Sequence, residues 1–207
     1  MTDPASYNST KNHPFDRKQQ ARDKRRAILI EAARLIRKSG FNNVSLSEVA
    51  DQLGIAKPAI YYYFKNKEEI LFECISHSFE IAENALSSAR ETRGSGRDKL
   101  EAYMRLYLLG HMTESGIGIP FQDSKSLGPE MRSIIDKRRR NRRDQLRALL
   151  RAGIADGSIR QCDPTVVIGS WAGAVGWVTE SFDPKGKLKA EDISNEVTAL
   201  FINGLRP

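Results

Sequence analysis

At 207 residues the chain is long enough for one large domain or for a small domain joined to a larger one. Its formal charge of +7 and isoelectric point near 9.5 point to an anionic partner. The excess lies early, because residues 1–69 hold 13 Lys and Arg against 8 Asp and Glu while residues 70–207 hold 20 against 18.

Residues 1–21 are rich in Pro, Ser and Asn and have no apolar periodicity, so they read as a disordered arm. The basic residues Lys18, Arg22, Lys24, Arg25 and Arg26 either lie against DNA or form a solvated helix start. A first helix is expected from about Arg22 to Lys38, with Ile28, Ala32, Leu35 and Ile36 inward and Gly40 ending it.

The stretch 44–67 specifies two short helices and a turn. Leu46, Val49, Ala50 and Leu53 make one apolar stripe. Ser45 and Glu48 form a capping box before it, and Gly54 suits the left-handed cap after it. Pro58 sits in the first turn of the next helix, whose Ile60 and Phe64 turn inward. Three consecutive tyrosines, Tyr61, Tyr62 and Tyr63, point about 100° apart, so at least one faces outward. Phenol hydroxyls flanked by Lys57, Lys65 and Lys67 suit a phosphate backbone.

This stretch resembles the DNA-binding region of TetR-family transcriptional regulators in its Leu53-Gly54 turn, its Tyr61-Tyr62-Tyr63-Phe64 helix end and its Asn66-Lys67-Glu68-Glu69 start of a fourth helix. The match runs from about Arg22 to Phe72. One departure is Ala56, where such proteins often carry a serine or threonine cap. The resemblance implies an all-α protein with a three-helix helix-turn-helix domain at 22–67 and a ligand-binding and dimerisation bundle at 68–207. The expected DNA-contacting set is Ser45, Ser47, Lys57, Pro58, Ala59, Tyr61, Tyr62, Tyr63 and Lys67.

Further along, a helix from Asn66 or Lys67 to about Arg90 belongs to both halves, and helices follow at 98–113, 129–156, 164–182 and 190–205. The breaker-rich segment 114–129 is the least regular part of the bundle, with one short helix expected near 121–126. Asp163 caps the helix that Pro164 begins. Gly169, Gly173 and Gly176 in that helix, with Val197 and Phe201 in the last, are the expected dimer interface, a four-helix arrangement that TetR-like proteins share.

The run Lys137 to Arg143 is the densest charge in the chain. It fits a solvated helix face, a phosphate-bearing ligand held by arginine forks, or a second DNA surface. The expected ligand site joins this run to aromatic groups: Phe79, Tyr103, Tyr107, Phe121, Arg138, Arg142, Trp171 and Trp177. From Arg139 to Leu205 the chain is similar to regulators of lipid, steroid or other acyl-CoA breakdown. An acyl chain among the aromatic groups and a nucleotide phosphate on the arginine run would make the expected effector an acyl-CoA thioester, with an uncharged apolar or aromatic compound as the alternative.

His13, His77 and His111 are scattered, and no phosphate loop, nucleophile elbow or metal motif occurs, so neither cofactor nor metal nor catalysis is expected. Cys74 and Cys162 form no CxxC pair, which fits a reducing cytoplasm. The N-terminus lacks an apolar leader, and the longest apolar-to-small run, 166–178, is too short for a bilayer. The expectation is a soluble homodimeric repressor on a pseudo-palindromic double-stranded operator, released by a small molecule. A ligand-independent DNA-packaging protein would lack a pocket, and a helical-bundle enzyme would turn over what it binds.

Overall fold

The computed structural model describes residues 14–113 and 121–207, although the side chains of residues 14–16, 113 and 121–123 lie outside the described set. The described residues are all-helical: α1 (Pro14–Ser39), α2 (Leu46–Leu53), α3 (Lys57–Tyr63), α4 (Lys67–Glu91), α5 (Gly96–Thr113), α6 (Pro129–Ala155), α7 (Pro164–Ser181) and α8 (Ala190–Gly204). Short 3-10 turns at Phe41–Asn43 and Phe121–Ser126 complete them. No described helix is long and apolar enough to cross a membrane.

Helix ends fall where local chemistry places them. Ser45 Oγ accepts from the Glu48 N–H at 3.1 Å, and Asn66 Oδ1 accepts from the Glu69 N–H at 2.8 Å. Gly54 takes φ 64°, a conformation that favours glycine, and its N–H closes α2 onto Ala50 and Asp51. Asp163 Oδ1 accepts from the Thr165 N–H at 2.7 Å at the start of α7. Ala56, with no side-chain acceptor, leaves α3 uncapped by a side chain.

The first helix differs from its sequence expectation. It begins at Pro14 and not near Arg22, so residues 14–21 of the expected arm are helical, while residues 1–13 lie outside the described residues. Gln19, Gln20, Ala21 and Arg22 are good helix formers, and extending a helix already nucleated on a packed segment costs little. The Gln19 amide also donates to Asp23 at 2.9 Å.

Two apolar cores result. The lower one joins Ile28, Ile36, Val49 and Ile60 of the first three helices, and Phe64 just after α3, to Ile70, Leu71, Ile75 and Phe79 of α4. It also takes in Leu127 and Ile135, from beyond residue 120. The upper core begins at Ile81 and is built from the far half of α4 with α5 to α8. Where α5 starts and α6 ends the backbones nearly touch, and a Cβ on Gly96 would lie 2.4 Å from Gly153 Cα. The Gly96 N–H donates there to Asp156 Oδ2 at 2.7 Å.

Candidate DNA-binding surface and ligand cavity

α2 and α3 form the helix-turn-helix, and the outward face of α3 is aromatic. Burying Ile60 and Phe64 at 0% and 1% exposure leaves Tyr61 at 51% and Tyr62 at 82%. Tyr63 turns half inward and packs edge-on against Tyr62, with ring centroids 5.0 Å apart. Lys57, Pro58 and Ser45 are exposed, while Ala59 and Ser47 are half-buried. Of the residues expected from the sequence, Lys57, Pro58, Tyr61 and Tyr62 are thus exposed on α3, and Ser45 is exposed at the cap of α2.

Lys67 sits differently from a free phosphate clamp. Its Nζ donates to the Phe41 and Val44 carbonyls at 2.7 and 2.8 Å and lies 4.2 Å from the Phe41 ring centroid. Burial lowers its pKa. Two of its three N–H groups therefore fasten α4 to the turn before α2. Arg25 of α1 fastens the same helix, pairing with Glu73 while its guanidinium covers the Phe64 ring at 4.5 Å.

The upper bundle encloses a cavity of about 360 Å³ between α5, α6 and α7. Tyr103, Tyr107 and His111 line one face of α5 at steps of four residues, so their rings form a row. Tyr103 stacks on Tyr107 at 5.6 Å, and Tyr107 meets His111 edge-on at 4.6 Å. α6 contributes Arg139, Arg142, Arg143, Leu146 and Arg147. α7 contributes Ile168, Trp171 and Val175 with the small residues Gly169, Ala172 and Gly176.

The arginine run is divided by its helix, because successive residues face different neighbours. Arg138 bonds Glu83 at 3.1 Å and lies over the Phe79 ring at 4.8 Å. Arg139 Nη2 donates to Ser124 Oγ at 2.8 Å, and Arg142 Nη1 donates to the Tyr107 hydroxyl at 2.8 Å. Burial works against the Arg142 charge, but Tyr107 and Tyr103 outweigh it and its pKa is raised. Lys137, Arg140 and Arg143 are exposed.

His111 is held neutral. Burial first, then Arg142, His77 and Arg37, bring its pKa down to about 3. Burial likewise raises the Tyr103 phenol, so it too is neutral and able to donate.

Of the expected ligand residues, Tyr103, Tyr107, Arg142 and Trp171 meet at this cavity. Phe79 and Arg138 do not: Phe79 belongs to the lower core, and with Arg138 it borders a separate crevice of only about 20 Å³. Trp177 is 64% exposed on the outer face of α7, and the Phe121 side chain lies outside the described residues. Arg139 and Arg143, expected only as members of the arginine run, also line the cavity, as do His111 and Arg147, which were not among the expected ligand residues. The four-residue step from Tyr107 was the available signal for His111.

The expected dimer residues also separate. All three glycines have open space where a Cβ would stand; Gly169 and Gly173 are exposed, and Gly169 and Gly176 also line the cavity. Val197 and Phe201 are half-buried against the upper core, Phe201 edge-on to Trp171 at 5.2 Å. On α7 and α8 the large apolar groups left outside are Val166, Trp177 and Leu200, each 64–74% exposed.

Two family models match: the bacterial regulatory proteins of the tetR family over residues 28–74 and the tetracyclin repressor-like C-terminal domain over residues 93–205. The chain is 23% identical over 194 residues to the HTH-type transcriptional repressor KstR2 of Mycolicibacterium smegmatis, covering 92% of this chain and 94% of that one. It is 25% identical over 143 residues to the fatty acid metabolism regulator protein of Bacillus subtilis, covering 69% and 75%. Among solved structures, AibR in complex with isovaleryl coenzyme A and operator DNA aligns with a TM-score of 0.69 at 29% identity, covering 86% and 97%.

Proposed function

Since the chain belongs to the TetR family of transcriptional regulators, we propose that it is a homodimeric repressor whose effector is an acyl-CoA thioester bound in the α5–α6–α7 cavity. The observation that carries this reading is the composition of that cavity. An apolar and aromatic interior meets four arginines on one wall, Arg139, Arg142, Arg143 and Arg147. A volume of about 360 Å³ suits the acyl part of such a ligand. Its phosphates then lie outside, within reach of Arg143 and Arg147, where guanidinium forks fit them. AibR, similar over most of this chain, has been solved with isovaleryl coenzyme A and operator DNA together. A DNA-packaging protein has no use for such a cavity.

Two copies joined through the exposed face of α7 and α8, with Val166, Gly173, Trp177 and Leu200, would set two α3 helices about one DNA turn, roughly 34–36 Å, apart on a pseudo-palindromic operator. The ligand's influence on that spacing has a short path. Arg139 holds Ser124, the 121–126 turn leads to Leu127 in the lower core, and the Gly128 N–H donates to Glu68 Oε1 at 2.5 Å, in the first turn of α4. Displacing Arg139 therefore moves the group that seats α4 under the DNA-binding helices. Ligand and operator then weaken each other equally, by a coupling typically of about 1–3 kcal/mol.

The test is release of a bound operator by an acyl-CoA, its free acid and free coenzyme A. The thioester should act at the lowest concentration, because each half fills only half the site. Arg143→Ala with Arg147→Ala should remove that advantage. Equal potency of thioester and free acid, unaltered by the arginine changes, would reduce those arginines to a solvated face and leave an uncharged apolar effector.

A further inference from the structure

Among the uncharged polar side chains facing the cavity, three have groups with no hydrogen-bond partner among the described residues: the Tyr103 hydroxyl, both ring nitrogens of His111 and the Trp171 indole N–H. All are shut away from solvent. A buried donor or acceptor left unmade is costly, so such groups are normally completed by something else.

Their spacing narrows what completes them. Tyr103 and His111 are eight residues apart on one face of α5, which separates their Cα atoms by about 12 Å along the axis. Tyr107 stands between them with its hydroxyl taken by Arg142. The open positions thus form two stations separated by a filled one. Leu146, Ile168 and Val175 supply the apolar wall alongside.

We propose that the cavity selects an otherwise apolar skeleton bearing carbonyl oxygens towards both ends of its buried part, and discriminates against an unsubstituted hydrocarbon chain. This rests on the reading of the cavity as the effector site. A carbonyl fits because the phenol and the indole N–H donate, while the neutral His111 ring offers one donor and one acceptor. A plain chain would cover these groups with hydrocarbon and leave them dry and unpaired. A site built to hydrogen-bond its ligand rejects the analogue lacking the oxygen for that reason.

Operator release is measured with two coenzyme A thioesters of equal chain length, decanoyl and a decanoyl chain bearing a ketone next to its terminal methyl, and with both free acids. The ketone-bearing chain should act at a concentration roughly tenfold lower or better. Of Tyr103→Phe and His111→Phe, the one that removes the group meeting the ketone should bring the two chains to within about twofold of each other, while the other, which meets the carbonyl both chains share, should weaken both alike; each variant keeps an aromatic ring and loses the polar atoms. Quenching of tryptophan fluorescence by the ligands separates lost selectivity from a lost fold. Equal response of the unmodified protein to both chains, a preference the variants leave untouched, or failure of the ketone to bind overturns the proposal. If the preference appears with the free acids while both thioesters are inert, selectivity for oxygen stands and the coenzyme A reading falls.

Discussion

Glu68→Ala tests the path from cavity to DNA at its narrowest point. Glu68 Oε1 accepts from the Gly128 N–H at 2.5 Å, and Gly128 is the residue from which α6 departs. A hydrogen bond to a charged group contributes about 1.5–3 kcal/mol, and the carboxylate adds about 0.3–1 kcal/mol through the N-terminal dipole of α4. Glu69 remains to serve that dipole. The loss specific to the Gly128 bond is then of the order of the whole coupling between ligand and operator. Operator dissociation constants measured by fluorescence anisotropy with and without saturating effector give the coupling ratio directly. It should fall about fivefold or more in Glu68→Ala. Glu68→Gln keeps an acceptor oxygen at the same reach and should lie between the two. A ratio unchanged in Glu68→Ala would show that the signal does not cross at this bond, however much the variant is destabilised.

Further outcomes follow at four positions. Because the His111 pKa is depressed in the fold, only the unfolded chain takes up that proton below its ordinary value near 6.5. Its contribution to stability is complete above pH 6.5 and falls towards pH 3 by about 1.4 kcal/mol per unit, so His111→Phe should flatten denaturant-derived stability against pH in that window. Lys67→Ala should lower stability by roughly 1–3 kcal/mol, because two carbonyls lose their donor, whereas Tyr62→Phe should weaken operator binding across all sequences and leave stability within about 0.5 kcal/mol. Gly173→Leu meets open space within one protomer, so any cost of overpacking, about 1–3 kcal/mol, should appear as a weakened dimer in sedimentation; a dimer as tight as before places the interface elsewhere.

The features readable from sequence were those decided within a few residues. Ser45, Gly54, Pro58, Asn66 and Asp163 each act on backbone groups no more than four residues away, so their spacing alone placed helix ends. The outward set of α3 followed from Ile60 and Phe64 for the same reason. The cavity was legible only in part, because its walls are chosen by packing between helices far apart in sequence. α7 is apolar or small nearly all round, so periodicity could not tell Trp171, 3% exposed, from Trp177, 64% exposed, although six residues turn them about 120° apart. Nor could charge density show that Arg142 reaches Tyr107 while Arg138 covers Phe79. Those partners lie on α5 and α4, 35 and 59 residues earlier.

Phe79 shows how the two halves are joined. From the sequence it belonged with the ligand-binding aromatics, yet it closes the bottom core, and the upper core begins two residues later at Ile81. The division between cores therefore falls inside α4, well past residue 67, where the helix-turn-helix was expected to end. α1, α2 and α3 do not bury their apolar faces by themselves; Leu127 and Ile135, carried by the 121–126 connection and α6, complete the packing. Ile135 lies one helical turn before Arg139, which lines the cavity and holds Ser124. A close-packed interior accommodates a moved wall by shifting to another packed arrangement rather than by deforming gradually. On the proposed reading, ligand entry on one side of α6 would be a repacking event for the lower core on the other, with α4 as the element both cores share.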